Sequence, residues 1–155
     1  MKDVRVLQNV SLFTRLHQKH LQAIWKVCSE RSFEPGDILM EQGNPGVGLF
    51  IIQDGRVKIT KTLKDGSTID MSENGPGDVI GEMSVLDGST RTANVIAVTK
   101  TRCLVLAAWS FKALIEARPE VALGVLPIVV KRFRETTDRL SELSGSPAQL
   151  RPSDA

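Results

Sequence analysis

Ile80-Gly81-Glu82-Met83-Ser84-Val85-Leu86, followed by Asp87-Gly88-Ser89-Thr90 and Arg91-Thr92-Ala93-Asn94-Val95-Ile96-Ala97, is the stretch on which the reading of this chain turns. A glycine that opens a short helical turn lets backbone N–H groups approach an anion closely, and a helix start presents unsatisfied donors at the positive end of its dipole. Gly81 stands at such a place, so the segment is shaped for a phosphate. Arg91 adds a planar guanidinium that can hold two phosphate oxygens at once, through charge-assisted bonds about twice as strong as neutral ones. Glu82 needs a different partner, because a carboxylate only accepts hydrogen bonds and suits a donor such as a sugar hydroxyl. A ribose 3′,5′-cyclic phosphate presents a hydroxyl and an anionic diester side by side and satisfies both residues. The competing reading is a surface turn on which Glu82 and Arg91 form an exposed ion pair worth on the order of 0–1 kcal/mol. Their spacing by itself favours the surface turn.

Outward from this stretch, turn signals recur about every ten residues. They are Pro35-Gly36-Asp37, Gly43-Asn44-Pro45-Gly46, Asp54-Gly55, Asp65-Gly66, Gly75-Pro76-Gly77-Asp78 and Asp87-Gly88. Between them lie short apolar or alternating runs, Ile38 to Met40, Leu49 to Ile52, Val57 to Thr60, Thr68 to Met71, Val95 to Val98 and Cys103 to Leu106. Short strands at even spacing with Gly-rich turns predict an antiparallel roll or barrel. Before the roll, Leu12, Phe13, Leu16, Leu21, Ile24, Trp25 and Val27 recur at helical spacing, and a helical period returns from Ser110 to about Leu143. The fold class expected is α+β: an antiparallel β-roll of the jelly-roll, double-stranded β-helix type, flanked by N-terminal helices and a long C-terminal helix. The expected boundaries are one domain over 1–145, with helices in 10–30, the roll in 31–108 and helices in 110–143. The polar segment 146–155 reads as a disordered tail.

Ala122, Leu126, Val129, Phe133, Thr136, Leu140 and Leu143 follow one another at spacings of 4, 3, 4, 3, 4 and 3, a heptad seam with one polar member. Such a seam either packs on its own roll or pairs with a second copy, and the expected homodimer contact is Val129, Phe133, Thr136, Leu140 and Leu143. Pro127 removes a backbone hydrogen bond near the start and is expected to kink or break the helix there. Lys131, Arg132, Arg134 and Arg139 flank the seam and read as a solvated face.

The string from Ile80 to Ala97 resembles the phosphate-binding cassette of the cyclic-nucleotide-binding family at each defining position, in the order aliphatic, Gly, Glu, any, small, aliphatic, short loop, Arg, small, Ala, any, aliphatic, any, small. A second signature covers Gly43, Asn44, Gly46, Leu49-Phe50-Ile51-Ile52 and Gly55; Met40 stands where a smaller residue is commoner, and Gly48 where Asp is frequent. The resemblance spans about Leu12 to Leu143 and is to the catabolite-activator type of sensor. It implies that Glu82 accepts from the ribose 2′-hydroxyl and that Arg91 clamps the phosphate. It further implies that Gly81, Met83, Thr92 and Ala93 border the ribose–phosphate unit, and that Ile59, Met71 and Ser72 line the pocket. Thr136-Thr137 matches a Thr-Ser pair that meets the adenine amino group in that subgroup, which favours cAMP. Thr92 suits cGMP as well. The implied function is a cyclic-nucleotide sensor that couples ligand to movement of the C-terminal helix. The alternatives are a sensor fragment of a catabolite-activator-type transcription regulator, a cGMP-selective member, or a degenerate member that binds no nucleotide.

Bulk properties narrow the remaining classes. A net charge of +2 is too small to indicate nucleic-acid binding, and 144–155 is too short and polar for a helix-turn-helix, so no direct nucleic-acid contact is expected. No apolar run approaches ~18 residues and no leader pattern opens the chain; a cytoplasmic protein without membrane contact is expected. Cys28 and Cys103 read as buried thiols, and His17 and His20, at i and i+3 in the helical part, as surface residues. Cupin-type metal chemistry would need histidines on strands, so no metal, no cofactor and no enzymatic activity are expected.

Overall fold

The computed structural model describes residues 4–145. Three short helical pieces open the chain: α1 (Arg5–Gln8), a 3-10 turn (Ser11–Phe13) and α2 (Gln18–Val27). His17 starts α2 as a side-chain cap, its Nδ1 accepting from the Lys19 N–H at 3.2 Å. Eight strands follow, β1 (Ser29–Phe33), β2 (Ile38–Met40), β3 (Gly48–Asp54), β4 (Val57–Thr62), β5 (Thr68–Asn74), β6 (Val79–Ile80), β7 (Asn94–Ala97) and β8 (Thr101–Ala107), with α3 (Glu82–Asp87) set between β6 and β7. Two helices follow β8, α4 (Ala108–Ala117) and α5 (Glu120–Ser144).

The strands form two four-stranded antiparallel sheets, ordered β1-β8-β3-β6 and β2-β7-β4-β5. The uninterrupted apolar run of β3 has a direct cause. Alternate side chains leave a strand on opposite faces, and both faces of β3 are covered: Leu49 and Ile51 join the core beneath the helices, whereas Phe50 and Ile52 join the core inside the roll. In β8 the same division sends Leu104 and Leu106 to the helices and Cys103 to the roll. The roll and its helical cover are thus held through two shared strands.

The structure departs from the sequence reading at several points. Ser29 and Glu30, placed among the helices, belong to β1, an exposed edge strand paired only with β8, and β6 is an additional two-residue strand. The first helix starts at Arg5, and the C-terminal helices start at Ala108. Helix α5 runs through Pro127 without a break. Val121 and Val125 before the proline, and Ile128 and Val129 after it, all pack on the helical core, so burial on both sides offsets the lost hydrogen bond. Gly124 lets this helix approach closely, since a Cβ there would lie 2.6 Å from Leu16 Cδ2. His20 is buried rather than exposed, its Nε2 3.6 Å from Glu120 Oε1 at the start of α5. Cys28 and Cys103 are buried as expected, and the segment 146–155 lies outside the described residues.

Candidate functional site

A cleft of about 320 Å³ opens where α3 and the β2-β7-β4-β5 sheet meet α5. Its charged end is built by the Gly81–Ala93 segment. Gly81 adopts φ +81° as it turns the chain from β6 into α3, a left-handed conformation that a side chain disfavours. An added Cβ would also sit 2.4 Å from both Arg91 Nη1 and Met40 Cε. Glycine is therefore required twice, for its torsion and for the space the guanidinium occupies. Arg91 donates from Nη1 to the Gly81 carbonyl at 2.9 Å and from Nη2 to the Gly48 carbonyl. It is 6% exposed, and burial pulls its pKa below the usual arginine value, partly opposed by the negative charge of Glu82. An arginine in a protein nonetheless stays protonated.

Glu82 does not pair with Arg91. Its Oε1 accepts instead from Arg132 Nη1 at 3.0 Å, and Arg132 Nη2 donates to Ser11 Oγ at 2.8 Å. One side chain of α5 thereby ties α3 to the N-terminal 3-10 turn. Among the described residues no carboxylate forms an ion pair with Arg91, which leaves a buried cation held by carbonyl dipoles. Since α3 is only six residues long, its dipole is small, and positive charge at this end of the cleft comes from the buried Arg91 guanidinium and from Arg132, which is paired with Glu82.

The sequence pattern of the cyclic nucleotide-binding domain matches residues 30–118, more than half of the chain. The chain belongs to the cyclic nucleotide-binding domain family. It is 28% identical over 138 residues to a CRP-like cAMP-activated global transcriptional regulator of Mycobacterium tuberculosis, covering 89% of this chain and 62% of that protein. It is 31% identical over 140 residues to the cyclic AMP receptor protein of Thermus thermophilus, covering 90% of this chain and 65% of that one. The domain thus spans less than two thirds of the length of these two regulators. The N-terminal domain of a transcriptional regulator from Streptomyces coelicolor superposes with a TM-score of 0.75 at 34% identity, over 88% of this chain and 96% of that one.

Eight of the eleven residues expected at the site of this cyclic nucleotide-binding domain line the cleft: Gly81, Glu82, Met83, Arg91, Thr92, Ala93, Ile59 and Ser72. Three do not. Met71 is 56% exposed; Ile59 pairs with Ser72 and Thr60 with Asp70, which leaves Met71 as the extra residue of a β-bulge on an exposed strand, beside Ser72, which lines the cleft. Thr136 and Thr137 bond back along α5, to the Arg132 carbonyl at 2.9 Å and the Phe133 carbonyl at 3.0 Å. Thr136 lies one helical turn beyond Arg132, about 6 Å further along the axis, and Arg132 is the residue of α5 that lines the cleft.

Arg132, Ser11, Met40, Asn74 and Asp78 line the cleft without having been singled out by the sequence. Two of them carried a signal. Arg132 precedes Thr136 by four residues and so shares its helix face, and Asn74 follows Ser72 by two and so shares its strand face.

Proposed function

We propose that this domain is a cytoplasmic regulatory sensor that binds a cyclic purine nucleotide, cAMP foremost, and catalyses no reaction on it. The observation that carries the reading is Arg91, buried to 6% exposure and bonded to two carbonyls, with no described carboxylate as counterion. Burying a charge that is only partly compensated, here by the nearby Glu82, is costly, and an anionic phosphodiester at the Gly81–Ala93 end of the cleft supplies further negative charge. Glu82 then receives the ribose hydroxyl, and the base extends toward Ile59 and Ser72. The names of the two regulators support adenine. Thr92, whose hydroxyl suits a guanine amino group too, makes cGMP the second candidate.

Coupling to the long helix follows from Arg132. A hydroxyl entering at Glu82 shares or displaces the Arg132 bond, and so changes what holds α5 against α3 and the 3-10 turn. Allosteric couplings of this kind are typically ~1–3 kcal/mol. The output surface is the exposed stripe of α5, Leu126, Val130, Phe133 and Leu140, which fits a second copy of the domain. Val129, expected in this seam, packs on the domain's own core; Val130 takes its place, while Thr136 and Leu143 are exposed. A second reading, favoured by the regulators that extend beyond the matched region, makes the domain the sensor of a transcription factor.

Competition binding with cAMP and adenosine tests the ligand class. A site organised around Arg91 binds cAMP at least a hundredfold more tightly than adenosine, because charge-assisted bonds to the diester carry the affinity; equal affinities would refute it.

A further inference from the structure

Strand β5 and the turn that leads into β6 bring a polar chain of three side chains to the cleft. Ser72 Oγ donates to Asn74 Oδ1 at 3.1 Å, and Asn74 Nδ2 donates to Asp78 Oδ2 at 3.1 Å. Asp78 Oδ2 also accepts from the Gly75 N–H at 3.0 Å, which anchors the carboxylate in the turn between β5 and β6. All three side chains line the cleft.

This arrangement fixes which way the Asn74 amide points. An ionised carboxylate has no proton to donate, so the amide must turn its NH2 to Asp78 and its carbonyl oxygen away from it. Oδ1 receives one bond from Ser72 and keeps a second lone pair. Beside Ser72, toward which the proposed base extends, the cleft thus holds an oriented acceptor, and no flip of the amide is open to it without breaking the bond to Asp78.

We infer that Asn74 is the residue that selects the purine, its Oδ1 accepting from an exocyclic amino group of the base. The inference rests on the cyclic-nucleotide reading above. A base with an amino group satisfies Oδ1; a base with only a carbonyl at that place sets acceptor against acceptor and leaves Oδ1 unpaired. A site built around a hydrogen bond discriminates strongly against the analogue lacking the donor.

The test is a calorimetric comparison of cAMP, cGMP and cIMP, the last having no exocyclic amino group, on the wild-type chain, Asn74→Leu and Asn74→Ala. On the wild type, cIMP should bind about tenfold more weakly than the tighter of cAMP and cGMP, the size expected for one neutral hydrogen bond at the upper end of its range. Both substitutions should shrink that gap to less than threefold while cIMP affinity holds or rises, and retained cIMP binding shows that the variants fold. A cIMP affinity equal to that of both amino-bearing ligands on the wild type would overturn the inference, as would a gap that survives in both variants. Binding of none of the three overturns the cyclic-nucleotide reading itself, and the role of Asn74 falls with it.

Discussion

Arg132 on the long helix holds Glu82 at 3.0 Å, so the carboxylate suited to a sugar hydroxyl is also the point where α5 is fastened to the roll. The pair is part-buried, with side-chain exposures of 34% and 20%, and the same guanidinium reaches Ser11. In the proposed site, ligand recognition and helix position therefore meet in one carboxylate.

Replacing Arg132 with alanine should separate the two. The variant should still bind cAMP through Arg91, but hydrogen exchange of α5 amides should change with the ligand in the wild type and not in the variant. The lost pair is worth on the order of 1 kcal/mol, or roughly 2–4 °C in Tm for a chain of this size. An α5 that responds to ligand equally in both proteins would show that Arg132 does not transmit.

Gly81→Ala should damage the site more than the fold. The left-handed torsion costs a non-glycine residue roughly 1–2 kcal/mol, and the new methyl would contact Arg91 Nη1 and Met40 Cε at 2.4 Å each. The guanidinium must then shift, and cAMP affinity should fall at least tenfold. Calorimetry alongside a thermal melt reads both effects.

Burial pushes the Cys103 thiol up from 9.0 to about 12, with the nearby Arg31 charge opposing only in part. An acid whose folded pKa lies above its unfolded value favours folding fully below the unfolded pKa and loses that contribution as pH rises toward the folded one. Stability should therefore decline between pH 9 and about 12, and Cys103→Ala should flatten that part of the profile. Urea melts across the range measure it. The native thiol should also resist alkylation at pH 8 and react on unfolding.

Phe133→Glu should abolish self-association if the α5 stripe pairs two copies. Phe133 is 63% exposed and lies between Val130 and Leu140 on the same face, so a charge there is set against the partner's apolar stripe. Light scattering with and without cAMP should give a dimer for the wild type and a monomer for the variant.

What could be read in advance followed from how locally each feature is encoded. The segment from Ile80 to Ala97 carries its own turn, helix and clamp within a few residues, and Gly81, Glu82 and Arg91 stand together in the cleft as read. Strand β1 escaped because four of its five residues are exposed and its pairing with β8 spans some seventy residues; β6 is two residues beside a glycine-rich turn. Arg132 looked like one of several solvated charges, since nothing local shows that a residue fifty positions away will receive it. Met71, Thr136 and Thr137, which the family likeness adds, are not among the residues that line the cleft, whereas Ser72 and Arg132, their neighbours on the same strand and helix, are. The seam of α5 shifted from Val129 to Val130 because the helix is apolar on two faces, one for its own core and one exposed.

The most direct test of the account is a calorimetric titration of cAMP into the wild-type chain and into Arg91→Met, which keeps the stem of the side chain and removes its charge. The account predicts saturable one-to-one binding to the wild type and a loss of at least a hundredfold in Arg91→Met, with the thermal melt of the variant showing a folded protein. Undiminished binding in folded Arg91→Met would contradict it.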